Sequence, residues 1–336
     1  MRTLCCMFLL CIVLPVTANA DRNAELIRNI VEEEIIGGFD ALETAAERLA
    51  DTAAETCAGA DLTAAYSKAF RAWIRVSHLR FGPSEEDNRA FALTFWPDPR
   101  GSTPKTLRKL LSDQGEAAPD VAAYRNISVA ARGFHALDYL LGDPDLRSRR
   151  QEDRYCALVA VIAQDIFATA RDLARAWRSY APGLIDPGKD TPYRTQQEVL
   201  QVLYKSARTG LQFTADMRFG RPLGTVEKPR PKRAEAWRSG LSQILAGEAV
   251  AGSGGLALKL ARDNPDLMKR LDNSLSRFAA GMAALDDPVF MGVLTPQGRF
   301  RIEVLLTELN GIRRIVDRDL GPNLGVAAGF NALDGD

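Results

Sequence analysis

The chain holds two histidines, His78 and His135, and no others. That scarcity removes several metal chemistries at once. There is no HExxH for a zinc protease and no pair of ExxH motifs for a di-iron bundle. No GxSxG and no Walker loop occurs either. The informative stretch is Ala131-Arg132-Gly133-Phe134-His135-Ala136-Leu137-Asp138-Tyr139-Leu140-Leu141-Gly142. On a helix, His135 and Asp138 share a face, while Phe134, Leu137 and Leu141 form an adjacent apolar stripe. An imidazole and a carboxylate that converge can hold a metal ion, or form a general base with its orienting group. They can equally be a histidine at a helix interface bonded to its own neighbour, and spacing alone favours this plainer account. Gly133, inside the expected helix, costs about 1 kcal/mol relative to Ala. That cost makes sense where a neighbouring backbone or a ligand comes close.

The elements that must position these groups are helices. Apolar residues recur at three and four residue spacing: Leu26, Ile27, Ile30, Val31; Leu62, Tyr66, Phe70, Trp73, Ile74; Ile302, Leu305, Leu306, Leu309, Ile312. That is helical period, and strand alternation is absent. Thr103-Pro104, Thr191-Pro192, Asn264-Pro265, Asp287-Pro288 and Thr295-Pro296 each set a capping side chain before a proline at a first helical position. Helices are expected near 23–56, 61–80, 104–113, 120–141, 150–180, 192–218, 232–250, 255–263, 265–284 and 296–319. Gly252-Ser253-Gly254-Gly255 reads as a flexible connection rather than an anion cradle. The fold class is all-α, as two packed helical bundles spanning 21–185 and 186–336, with the boundary in Tyr180 to Thr191.

Residues 1–20 read as a signal peptide: Arg2, an apolar run from Leu4 to Val16, and the small-residue cleavage site Ala18-Asn19-Ala20. Export to the periplasm is expected, with the mature chain starting at Asp21. Cys11 lies inside the apolar run, so no lipoprotein is expected, and no later segment approaches the ~20 apolar residues that span a bilayer. Cys57 and Cys156 remain after cleavage, either as a disulfide or as free buried thiols. Acidic and basic residues balance at 43 each, so no field favours nucleic acid. The basic cluster Lys228 to Arg233 carries two prolines and reads as a solvated linker.

The run ARGFHALDYLLG resembles the GxHxxE signature of the imelysin family of bacterial envelope proteins. Three further segments are similar to that family: Ala72 through Pro83, which includes His78 and Arg80; Phe95-Trp96-Pro97-Asp98-Pro99-Arg100-Gly101; and the tail from Leu324 to Asp336. The resemblance implies two helical bundles with a site at their interface, an envelope location, association with iron uptake, and the family's former classification as metallopeptidases. Here the signature's glutamate is Asp138, about 1.3 Å shorter in reach, which is large against metal–oxygen distances of ~2.0–2.2 Å. Asp138 is then either a direct ligand or the group that orients His135.

If His78 meets His135 across the bundle, a two-histidine site completed by Asp98 or Asp138 would suit iron or zinc. The alternative for His78 is a helix-end histidine facing exposed carbonyls. Trp96 and Asp98 are expected in a buried loop under the site, with Gly133 and Arg80 in support. The tail, with Leu324, Val326, Phe330 and Leu333, is expected to dock on the body. The leading function is a metal-binding component of iron uptake. A metallopeptidase lacks the usual three protein ligands of a catalytic zinc. A non-enzymatic envelope scaffold that binds a partner is the third reading.

Overall fold

The computed structural model describes residues 16–112, 120–149 and 153–326. Residues 1–15 of the expected signal peptide and the tail residues beyond Val326, with Phe330 and Leu333, lie outside the described residues, whereas the expected cleavage site Ala18-Asn19-Ala20 falls within the first helix. Every regular element among those described is helical, with no strand. No helix among them is long and apolar enough to cross a membrane.

The chain opens with α1 (Val16–Ile30), a π-helical turn (Val31–Ile36) and α2 (Gly37–Glu55) in one continuous rod. Then come α3 (Ala60–Val76) and a series of short pieces: α4 (Arg89–Leu93), α5 (Ser102–Ser112), α6 (Val121–Tyr124), α7 (Gly133–Gly142) and α8 (Pro144–Arg147). The long α9 (Asp153–Ile185) completes this half of the chain. A second continuous rod joins α10 (Gln196–Phe213), a π turn (Thr214–Phe219) and α11 (Gly220–Leu223). After it come α12 (Ser242–Leu260), α13 (Pro265–Ala284), α14 (Pro296–Ile315), a third π turn (Val316–Leu320) and α15 (Gly321–Asn323).

α2 packs on α3 and α9, and α12 packs on α10 and α13. The halves meet where α3 lies against α12 and α1 against α10. Buried apolar side chains from both halves form one continuous core. The α3–α12 contact is close because of Gly252, where a Cβ would stand 2.0 Å from the Arg75 carbonyl oxygen. The Gly252 to Gly255 stretch is therefore not the connection expected from its composition. It lies inside α12, and its missing side chains let neighbouring backbone and Leu275 approach.

The local signals fare unevenly. Asn264 and Thr295 cap α13 and α14, accepting from the backbone N–H of Leu267 and Gly298 at 3.1 and 3.2 Å. Thr191-Pro192 starts no helix, since Thr195 caps α10 instead. Asp287 caps only a short 3-10 turn, through Met291 and Gly292 N–H. The helices expected over 120–141 and 232–250 both differ from expectation, and α12 runs on to Leu260. The first breaks into α6, a 3-10 turn and α7, and the second begins only at Ser242. Cys57 and Cys156 form a disulfide that spans 99 residues, tying the α2–α3 connection to the start of α9.

Candidate functional site

α7 starts abruptly at Gly133, which has φ of +71°. A Cβ there would lie 2.3 Å from the carbonyl oxygens of both Ala92 and Leu93. The glycine is needed at the helix start, where backbone crosses backbone, and not inside the helix as the sequence suggested. This crossing seats α7 against the end of α4 and turns His135 and Asp138 inward, both buried. Around the His135 ring lie Phe70, edge-on at 5.3 Å, and Trp96, stacked at 6.2 Å.

The carboxylate that faces His135 comes from far along the chain. Glu235 Oε1 lies 3.6 Å from His135 Nε2. Glu235 Oε2 accepts from Arg218 Nε at 2.6 Å, and Arg218 also donates to Thr214 Oγ1 at 3.2 Å. All of Glu235, Arg218 and Thr214 are buried. Burial pushes the Glu235 carboxyl up, but the Arg218 guanidinium and His135 outweigh it, so the group is held below its usual range. Arg218 reaches Glu235 from the π turn Thr214–Phe219, where the widened ring shifts the helical register.

Asp138 is occupied elsewhere. Its Oδ1 accepts from both the backbone N–H and the hydroxyl of Ser239, at 3.1 and 2.6 Å. Burial pushes the Asp138 carboxyl up, and the Ser239 hydroxyl, with the charges of His135 and Arg238, offsets only part of this. Two buried polar atoms at the centre are left without a hydrogen-bond partner: His135 Nε2 and Glu235 Oε1.

Two cavities flank the pair. One, of about 580 Å³, is lined by His78, Trp73, Phe213, Arg218 and Glu235. The other, of about 250 Å³, is lined by His135, Asp138, Asp98, Arg221 and Arg233. Trp96 stands between them and lines both.

The profile of the family described as Imelysin matches residues 35–316. The chain belongs to the imelysin family. A crystal structure of an imelysin-like protein from Psychrobacter arcticum 273-4 superposes with a TM-score of 0.76 at 18% identity, covering 93% of this chain and 98% of that one. No curated protein matches the chain in sequence.

This imelysin does not assemble the ligand set His78, Asp98, His135 and Asp138. Among the described residues, no group of three or more His, Cys, Asp or Glu side chains converges as a metal cage would. His78 lines the larger cavity and His135 the smaller. Both His78 ring nitrogens are buried without a partner, and burial, with some help from the Arg75 charge, pushes its pKa down to about 4. Asp98 closes the first turn of α5, accepting from Thr103 N–H at 2.8 Å. Arg80 pairs with Glu85 at the surface.

Glu235, Arg218 and Ser239 were not anticipated. Glu235 sits in a segment that was expected to be helical, yet Ala236 beside it has φ of +49°. One signal was available: a lone acidic residue followed by Trp237 within the basic run Lys228 to Arg238.

Among the described residues, His135 Nε2 and Glu235 Oε1 form a facing nitrogen–oxygen pair, both atoms buried without a partner, that fits a metal ion. Their 3.6 Å separation is within twice a ligand bond of ~2.0–2.2 Å.

Proposed function

We propose that this imelysin-family protein is a periplasmic binding protein of iron uptake that takes a metal ion, iron or zinc, through His135 and Glu235. The halves 21–185 and 186–336 act as two bundles, each supplying one of these donors. The observation that carries the proposal is the facing pair of unpartnered buried atoms, His135 Nε2 and Glu235 Oε1, 3.6 Å apart. Buried polar atoms normally have partners, and a shared ion satisfies both at once. A bound ion would supply Lewis acidity and open positions for a carried ligand. The residues at the site do the rest. Arg218 keeps Glu235 ionised, Phe70 and Trp96 fix the ring plane of His135, and Ser239 anchors Asp138 beside them. A peptidase would need a third protein ligand and a separate base, and no such group supports that reading.

The test is calorimetric titration of the mature, metal-stripped protein with ferrous, ferric and zinc ions, alongside His135→Ala and Glu235→Gln. Stoichiometric binding lost in both variants is the expected outcome. No binding, or binding untouched by both substitutions, would move the protein to the partner-binding scaffold reading.

A further inference from the structure

The smaller cavity has a charge pattern that the metal pair leaves unexplained. Six charged groups line it: Arg221, Lys232, Arg233 and Arg238 against Asp98 and Asp138. Asp138 already has donors in Ser239, and Asp98 Oδ2 accepts from Thr103 N–H, while Asp98 Oδ1 is buried without a partner. Of the cations, Arg238 has Asp143 at 3.4 Å. Arg221, Lys232 and Arg233 have no carboxylate within ion-pair distance among the described residues.

Two of these unpaired cations are held by aromatic faces instead. The Arg221 guanidinium lies 5.6 Å from the Trp96 ring centre, and Lys232 Nζ lies 5.6 Å from that of Trp237. A ring orients a cation without neutralising it. Arg221 Nε is buried with no acceptor. Burial, together with the nearby charge of Arg233, disfavours the charged form of Arg221. Like charges gathered around a cavity, aimed by rings and lacking a counter-charge, are what an anion site looks like before its anion arrives. Lys232 and Arg233 belong to the stretch read from sequence as a solvated linker. They are exposed, but they stand at this cavity.

We propose that the cavity beside His135 binds a small organic polycarboxylate, held by Arg221 and Arg233 with Lys232 at its rim. Its volume of about 250 Å³ is room for roughly eight waters at ~30 Å³ each. That suits an organic anion carrying several carboxylates better than a single inorganic phosphate, which would fill only part of it. Several carboxylates on one frame can also meet cations that arrive from separate elements, Arg221 on α11 and Lys232 and Arg233 on the turn that follows. The site needs no metal at His135 and stands whether or not that reading holds.

The experiment is calorimetric titration of the mature, metal-stripped protein with citrate and, separately, with inorganic phosphate at low ionic strength, where such contacts are least screened. Arg221→Gln, Arg233→Gln and the distant Arg301→Gln on α14 are titrated in parallel. Arg233 is exposed, so its variant folds even if the Arg221 variant does not. Saturable one-to-one citrate binding, weakened tenfold or more in Arg233→Gln and Arg221→Gln and unchanged in Arg301→Gln, is expected. Absence of citrate binding overturns the proposal, as does binding indifferent to both cavity arginines or phosphate binding as tight as citrate. Because no metal is present, none of these results depends on the metal titration.

Discussion

His135 and His78 are the same residue type, both buried, each beside a cavity, yet their surroundings differ in kind. His135 faces a carboxylate that is itself clamped by a guanidinium, and Glu235 and Arg218 reach it from two other parts of the chain. His78 has two unpartnered nitrogens in a cavity rich in aromatic side chains, and α10 presses on it at Gly210, where a Cβ would be 2.6 Å from the His78 Cβ. The contrast teaches that a buried histidine becomes a candidate site through the charges gathered around it. Burial by itself only suppresses the charge of the ring.

Three measurements would sharpen or break that contrast. The largest effect is expected for Glu235→Ala, which leaves Arg218 buried and unpaired. A loss of about 3–5 kcal/mol in urea unfolding follows from removing one partner of a buried pair. A loss below about 1 kcal/mol would mean that the His135 region is not held together by charge. Next comes the pH dependence of His78. Its folded pKa, about 4, lies below the ordinary value of 6.5, so the unfolded chain takes up the proton first. The stability due to neutral His78 is complete above about pH 6.5 and is lost as pH falls towards 4, on the order of 3 kcal/mol in total. His78→Leu should flatten unfolding stability across that window, and an unchanged slope would contradict the burial of an uncharged ring. The smallest effect is expected for Ser239→Ala, which removes the stronger of two donors to Asp138. About 1–2 kcal/mol of destabilisation fits a buried acceptor left half satisfied. A neutral result would show that Asp138 finds another donor.

Much of the fold was legible because its signals are local. Asn264-Pro265 and Thr295-Pro296 mark helix starts in a handful of residues, and the apolar spacing of Ile302 to Ile312 declares a helix without reference to the rest of the molecule. The site was only half legible for the opposite reason. His135 and Asp138 are neighbours on α7, so their spacing could be read. Glu235 and Ser239 reach them from about a hundred residues away, on a segment that the sequence places inside a helix but that lies before α12. Gly133 did advertise a close approach, and Ala92 and Leu93 provide it. Nothing in the chain's spacing distinguishes a glycine that starts a helix from one within it. Asp98 resembled a ligand because its loop is rich in unusual residues, whereas its Oδ2 is engaged by the first turn of α5.

The π turn at Thr214–Phe219 has a consequence for how this site could be gained or lost during descent. Its wide turn accommodates one residue more than an α-helix would, and that surplus aims Arg218 at Glu235. Deleting a single residue from this turn, even with every named side chain preserved, would rotate the guanidinium by about 100°, one residue's step at 3.6 per turn, away from its carboxylate. At this point the lineage is constrained by a count of residues as much as by their identity.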